Sequence, residues 1–401
     1  MTGAEGPRPS APGPLRASSA EREQLAADFV RLCEIESPSR RERAVAEAVA
    51  AELHSCGLRV EEDESAAATG SDSGNLLARI PGPPGAPTVL LCAHLDTVPL
   101  TAPVEVLRES GRFSNRNDGI LGADNKTAVA VLLAIARRYG PAGPSVPVEL
   151  SALPGPPVGL ELLFTTCEEI ALLGAKELTH ELRADFGFVF DHATPLGELI
   201  VAAPTYYRVD AEIHGAAAHA GIRPEAGHNA IAVAAEAIAS LSLGRLDDET
   251  TANVGTIHGG TAANVVAERC TVTLEARSLD DAKAGQAVGD IVDAFAEAAA
   301  DMECDVETTV ERLFRAYRLP AGSPPVRAAS AALEALGIEP RPIATGGGSD
   351  ANVFVADGLP VLNVANGTEG NHQPDESVTV AALETALDLT LGILGQSGSL
   401  A

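Results

Sequence analysis

The stretch VLLCAHLDTVP, Val89–Pro99, decides how the rest of the chain is read. A β-strand sends residues i and i+2 to the same face, so an apolar run ending in His94-Leu95-Asp96 projects an imidazole and a carboxylate together from its end. Comparable apolar runs occur at 75–80, 160–166 and 186–190, and a helical pattern over 126–138 precedes the last two. Strands that are apolar throughout, rather than alternating, and that are interleaved with helices predict an α/β fold: a mainly parallel sheet covered by helices on both faces.

Working outward, Ser18 with Glu21 and Ser39 with Glu42 read as S-x-x-E capping boxes opening two helices. Leu25, Phe29 and Leu32 stripe the first helix; Val45, Val49 and Leu53 stripe the second, which Gly57 ends. The Pro-rich segment 141–157 reads as an irregular surface loop. Near residue 205 the pattern changes. Tyr207, Val209, Ala211 and Ile213 alternate with Arg208, Asp210, Glu212 and His214, which predicts a half-buried strand. A helix around Ile231–Leu241, strands near 251–258 and 265–277, a helix around Val288–Phe295 and a strand near 305–312 complete a βαββαβ, ferredoxin-like unit inserted in the larger domain. Helices near 326–336 and 378–395 and a strand at 360–364 return to that domain. The expected division is a flexible tail over 1–18, the larger domain over 19–204 and 315–401, and the insert over 205–314.

The 401 residues carry 56 Asp and Glu against 28 Lys and Arg, a formal net charge of -28. No nucleic acid or anionic membrane is expected as a partner, because both need a basic footprint. Six cysteines without a C-x-x-C pair fit a reduced, cytoplasmic compartment. No apolar run is long enough to span a bilayer.

The chemistry is signalled by acidic and imidazole groups placed wherever an apolar strand stops: His94 and Asp96, then Glu168 and Glu169, then Asp191, then His372. Asp124 sits in GADNKT, a loop just before a helix. In open α/β sheets ligands bind outside the carboxyl ends of the strands, so these groups converge on one cleft. Any one of them alone reads as a turn residue or cap, and Glu168 and Glu169 also suit the first turn of a helix over 169–179. Together, so many carboxylates repel one another unless a cation is present, and imidazole with carboxylate ligands suits zinc or a similar divalent ion. His94 is then a ligand, and Asp96 a neighbour that fixes its ring. Cys92 and Cys167 read as small buried hydrophobes.

HLDTVP, GADNKTA, TTCEEIALLGAK, the Asp after FGFVF and a late His, over about residues 20–395, resemble the dinuclear zinc metallopeptidase family that includes peptidase T, glutamate carboxypeptidases, acetylornithine deacetylase and succinyl-diaminopimelate desuccinylase. GGGSDANVF and AAHAG are most similar to the peptidase T branch. The resemblance implies a zinc-exopeptidase-like catalytic domain with a lid and dimerisation insert. It implies two divalent ions, zinc or else cobalt or manganese. His94 and Asp191 would bind one, Glu169 and His372 the other, and Asp124 would bridge them. It further implies that Asp96 orients His94, that Glu168 is the general base, and that His219 is a lid histidine reaching into the partner's site in a homodimer. Asn264 and Arg277 match substrate-binding positions, although an ion pair with Glu275 or Asp280 is an equal reading of Arg277. The implied activity is that of an exopeptidase on short peptides, of tripeptide aminopeptidase type. The alternatives are an N-acyl amino acid deacylase on the same scaffold and a non-catalytic binding protein. Three residues depart from the family pattern: Asn125 where a second Asp is common, His192 where a small residue is usual, and Gly346 where peptidase T has Arg. A P-loop at Lys126-Thr127 is excluded by Ile120 and Asn125, which stand where glycines are required.

Overall fold

The structure, a computed structural model, describes residues 15–143, 155–193 and 195–399. The centre of the molecule is a nine-stranded sheet. Its parallel heart is formed by Gly159–Thr165, Thr88–His94, Phe186–His192 and Val361–Ala365, lying side by side in that order. Antiparallel strands flank it, with Leu76–Ile80 and Val60–Glu62 on one margin and Glu198–Ala203 and Tyr317–Arg318 on the other. Arg341–Ala344 runs parallel beside Glu198–Ala203. The four central strands are buried along nearly their whole length, as expected of strands covered on both faces.

Helix Ala123–Tyr139 packs beside strand Thr88–His94 and is itself covered by helices Ser19–Cys33 and Val380–Ser397. A helix enclosed this way must be apolar all round, and its run of Ala128, Val129, Ala130, Val131, Leu132, Leu133 and Ala134 is buried throughout. Alanine here lets the neighbouring helices approach closely. The chain before the first helix is tied down: Leu15 packs against the core and the Ala17 N–H donates to Asp388 at 2.8 Å. The expected flexible tail therefore does not include residues 15–18; residues 1–14 and most of the Pro-rich loop lie outside the described residues.

Ser18 and Glu21 form the expected capping box. Ser39 and Glu42 do not. Helix Arg43–Ser55 starts at Glu42 without a side-chain cap, and both polar groups are spent on the active region. The expected helix over 169–179 contracts to the single turn Leu173–Lys176, because Cys167, Ala171 and Leu172 adopt left-handed backbone conformations that no helix accommodates.

The insert forms its own five-stranded antiparallel sheet, in which Thr250–Gly259, Arg269–Ser278, Thr205–His214 and Asp305–Phe314 follow one another. That is the ferredoxin-like order of a βαββαβ chain. Helices Ala230–Ser240 and Asp281–Asp301 cover one face, closing a core of Val209, Ile213, Val272, Leu274 and Phe295. A third, small sheet joins Val106–Glu109 and Arg112–Asn115 to Ser377–Thr379 and Thr368–Glu369. Nothing in the hydrophobic pattern announces it, yet the loop between its last two strands carries His372.

Phe295 is fully buried in the insert's core. Phe295→Ala is expected to cost the insert about 3–5 kcal/mol, read as a lowered midpoint in chemical denaturation.

Candidate active site

The site begins where strand Thr88–His94 ends. His94 and Asp96 are both buried, and the carbonyl between them, on Leu95, accepts bonds from Ser37 Oγ at 2.9 Å and from Lys126 Nζ at 2.7 Å. Lys126 Nζ also donates to Ser37 Oγ at 2.7 Å, so a fully buried ammonium fixes this turn from beneath.

Asp96 fastens the next segment. Its Oδ1 accepts the Glu168 N–H at 2.9 Å; its Oδ2 accepts the Glu169 N–H at 3.1 Å and the Ser39 hydroxyl at 2.7 Å. The same carboxylate lies 3.3 Å from His94 Nδ1, with the Asp96 carbonyl at 3.0 Å, so the ring is oriented and Nε2 is left facing the cleft. Glu42, expected as a cap, instead accepts the Cys167 N–H at 3.0 Å and the Ser71 hydroxyl at 2.5 Å, which secures the strained turn presenting Glu168 and Glu169. Gly174 closes that turn, since a Cβ there would lie 2.0 Å from the Thr166 carbonyl oxygen.

Asp124 sits at the start of helix Ala123–Tyr139, where its own backbone and that of Asn125 are not helical, on a turn gathered by one carboxylate, Glu376, which accepts the N–H groups of Leu121, Gly122 and Asp124 at 2.7–2.8 Å. Gly122 has φ 76°, where a glycine is needed. The loop 370–376 thus does three things: it presents His372, braces the Asp124 loop through Glu376, and donates from Asn371 Nδ2 to Asp124 Oδ2 at 2.9 Å.

These segments bring His94, Asp124, Glu168, Glu169, Asp191 and His372 together. Asp124 faces both imidazoles, with Oδ1 at 3.3 Å from His94 Nε2 and Oδ2 at 3.3 Å from His372 Nε2. Asp191 Oδ1 stands 3.5 Å from His94 Nε2, and Glu169 Oε1 stands 3.1 Å from His372 Nε2. Ligand atoms of His94, Asp124 and Glu169 lie within 4.8 Å of one another, as do those of His94, Glu168 and Asp191. Glu168 is therefore as close to the cluster as the other carboxylates.

His219 and Asn264 are not part of this group within one chain. They sit side by side on two exposed loops of the insert, where the Ala220 N–H donates to the Asn264 carbonyl at 2.9 Å. Arg277 does reach the cleft. It lies over the Tyr206 ring at 4.0 Å and pairs with Glu275 at 3.0 Å, the expected ion pair; Asp280 instead caps helix Asp281–Asp301. His192 lines the cluster's cavity and bonds Glu198 at 2.9 Å.

The electrostatics are those of crowded acids. Burial, reinforced by the charge of Asp191, pushes Glu168 well above the carboxylate range. Burial and Asp124 raise Asp191 to about 7. Burial alone would lower His94, but Asp124, Asp191 and Asp96 outweigh it and hold the imidazole's pKa well up. The carboxylates of Asp124 and Glu169 beside it raise His372 to about 10. Such a cluster holds extra protons or holds cations. Glu169 Oε1 is buried and, although 3.1 Å from His372 Nε2, meets no well-aligned donor, as suits a ligand atom. Imidazole nitrogens and carboxylate oxygens with no thiolate among them fit divalent ions of the zinc, manganese or cobalt kind. The thiol of Cys92 is turned to Asp350 at 3.8 Å and that of Cys167 to Glu42 at 3.3 Å.

Two cavities adjoin here. One of about 280 Å³ is lined by the cluster itself. The other, of about 670 Å³, opens between Glu168, Glu169 and the insert's polar sheet face.

Comparison with known proteins agrees with this geometry. Residues 205–303 match a peptidase dimerisation domain of M20 type, and residues 75–235 match peptidase family M28. Aminopeptidase PepT of Bacillus cereus is 33% identical, with 94% of this chain and 98% of that one covered at a TM-score of 0.83. A tripeptidase of Staphylococcus aureus is 30% identical, with 94% and 99% covered at a TM-score of 0.87. The uncharacterized protein YqjE of Bacillus subtilis is 33% identical over 375 residues, 93% of this chain and 98% of that protein. The chain belongs to the M20 family of metallopeptidases and is a hydrolytic enzyme of that kind.

Sequence reading alone misses Glu376 and Lys126. Lys126 stands two residues after Asp124, and Glu376 four residues after His372, but spacing says nothing of which backbone atoms they hold. Glu376→Ala frees three N–H groups of the Asp124 loop. It is expected to weaken divalent-ion affinity by about 10–100-fold, measured by titration calorimetry with zinc.

Proposed function

We propose that the chain is an exopeptidase of short peptides, of the tripeptide aminopeptidase kind, working with two divalent metal ions. The observation that carries this reading is the placement of Asp124, whose two oxygens each face a different imidazole. His94 and Asp191 would hold one ion and Glu169 and His372 the other, with Asp124 between them. Ions held there would polarise the scissile carbonyl and make a water acidic enough to attack at neutral pH. Asp96 and the Leu95 turn keep the His94 ring in place. Glu168, which lines both cavities, takes a proton from the attacking water and returns it to the departing amine. Arg277 holds a substrate carboxylate.

The insert supports a homodimer. Past Ala252 the edge strand Thr250–Gly259 has no outer strand partner among the described residues, and Ile222, Ile231 and Ile257 are exposed on the same unit. In that dimer His219, with Asn264 beside it, enters the partner's cleft and steadies the oxyanion of the transition state. Six free cysteines suit a reduced, cytoplasmic setting. A second reading, hydrolysis of N-acyl amino acids, uses the same groups. It is separated by assaying di- and tripeptides against N-acetyl amino acids on the zinc- or cobalt-loaded enzyme; an acyl-only profile would replace the peptidase reading.

Glu168→Gln is expected to retain bound metal while turnover falls on the order of 10²–10⁴-fold. Metal analysis beside a tripeptide assay checks this, and substantial residual activity removes Glu168 from the proton-transfer role. His219→Ala is expected to be nearly inactive alone. Co-expressed with Glu168→Gln it regains about a quarter of the wild-type rate, since random pairing leaves one intact composite site in each mixed dimer. No recovery overturns the shared site.

A further inference from the structure

The larger cavity differs in charge from the rest of this acidic protein. Its insert wall sets two arginines among three acids. Arg208 lies between Glu275 and Glu311 on neighbouring strands and pairs with Asp210 at 2.8 Å, while Arg277 pairs with Glu275. Its catalytic-domain wall is different. Lys176 ends the single turn that follows Glu168 and Glu169, and its half-buried ammonium has no hydrogen bond or ion pair among the described residues. Arg40, exposed to solvent, lines the same wall, also without a side-chain acceptor among them. Of these cations only Arg277 has a nitrogen, Nε, that is both buried and unpartnered, although that guanidinium is fixed by Tyr206, Glu275 and the Gly346 carbonyl at 3.1 Å. Burial lowers the pKa of Lys176, with Glu311 opposing, so this amine sits where water does not fully solvate it. Donors left in this condition are satisfied by a ligand acceptor or by water. If Glu168 and Glu169 work with metal, their charge does not neutralise this wall.

We infer that Lys176, with Arg40, binds an acidic side chain of the substrate, so that the enzyme prefers peptides carrying Asp or Glu next to the cleaved bond. This rests on the peptidase reading and adds its substrate class. A terminal carboxylate is served by Arg277, whereas Lys176 and Arg40 lie on the opposite wall of the same cavity. A second anionic group on the substrate is what they fit.

The test compares tri-alanine peptides in which Glu or its isostere Gln occupies each position in turn. All have the same free termini, so only the side-chain charge differs. With wild-type enzyme, kcat/KM is expected to be at least about tenfold higher for Glu than for Gln at one position. With the metal-loaded Glu168→Gln protein, calorimetry is expected to show the same preference in Kd, free of any effect on chemistry. Lys176→Met is expected to bring both ratios close to one, and Lys176→Arg to preserve them. Glu-to-Gln ratios near one at every position, or ratios unchanged by Lys176→Met, overturn the inference while leaving the peptidase reading in place. If none of the peptides is cleaved or bound, the peptidase reading itself falls, and this inference with it.

Discussion

The Asp96 carboxylate is the point on which the site is hung. Two backbone N–H groups from one strand end, a hydroxyl from the N-terminal region and an imidazole two residues away all meet on it. A buried carboxylate is costly unless it is fully hydrogen-bonded, and here the required donors are the very segments that must be brought into register. The ring of His94 and the pair Glu168–Glu169 therefore take up their positions together or not at all. The acids around them are held close enough to repel, which is why a hydrolase of this family needs cations to complete its charge balance.

The two domains divide the work. The parallel sheet supplies a rigid floor on which strand ends meet, and the single-turn helix after Glu169 brings a lysine to the cavity wall. The insert places its polar sheet face opposite, so that the alternation which buries Val209 and Leu274 on one side presents Arg208 and Arg277 on the other. One strand periodicity thus builds both a core and half of a cleft.

Much of this was legible beforehand. Apolar runs that stop at His94, Glu168 and Asp191 are local signals, and the α/β core with its βαββαβ insert follows from period and order. What escaped has a common cause. Ser39 and Glu42 spell a capping box, but each finds a stronger demand elsewhere: Ser39 on Asp96, and Glu42 on the Cys167 turn. The segment after Glu169 has helical composition, yet left-handed residues stop the helix from starting early. Glu376 and Lys126 act on backbone atoms far away in sequence, and such pairings leave no periodic trace. His219 and Asn264 keep company with each other but not with the cluster within one chain.

Glu376 also sets an order of events during synthesis. The loop that carries Asp124 is complete only when a residue about 250 positions later has folded back onto it. A ribosome-bound chain that already displays the histidine, the paired glutamates and the insert still lacks its clasp. Hydrolytic competence arrives only with the segment that also carries the central strand Val361–Ala365, so the sheet and its working centre are completed together.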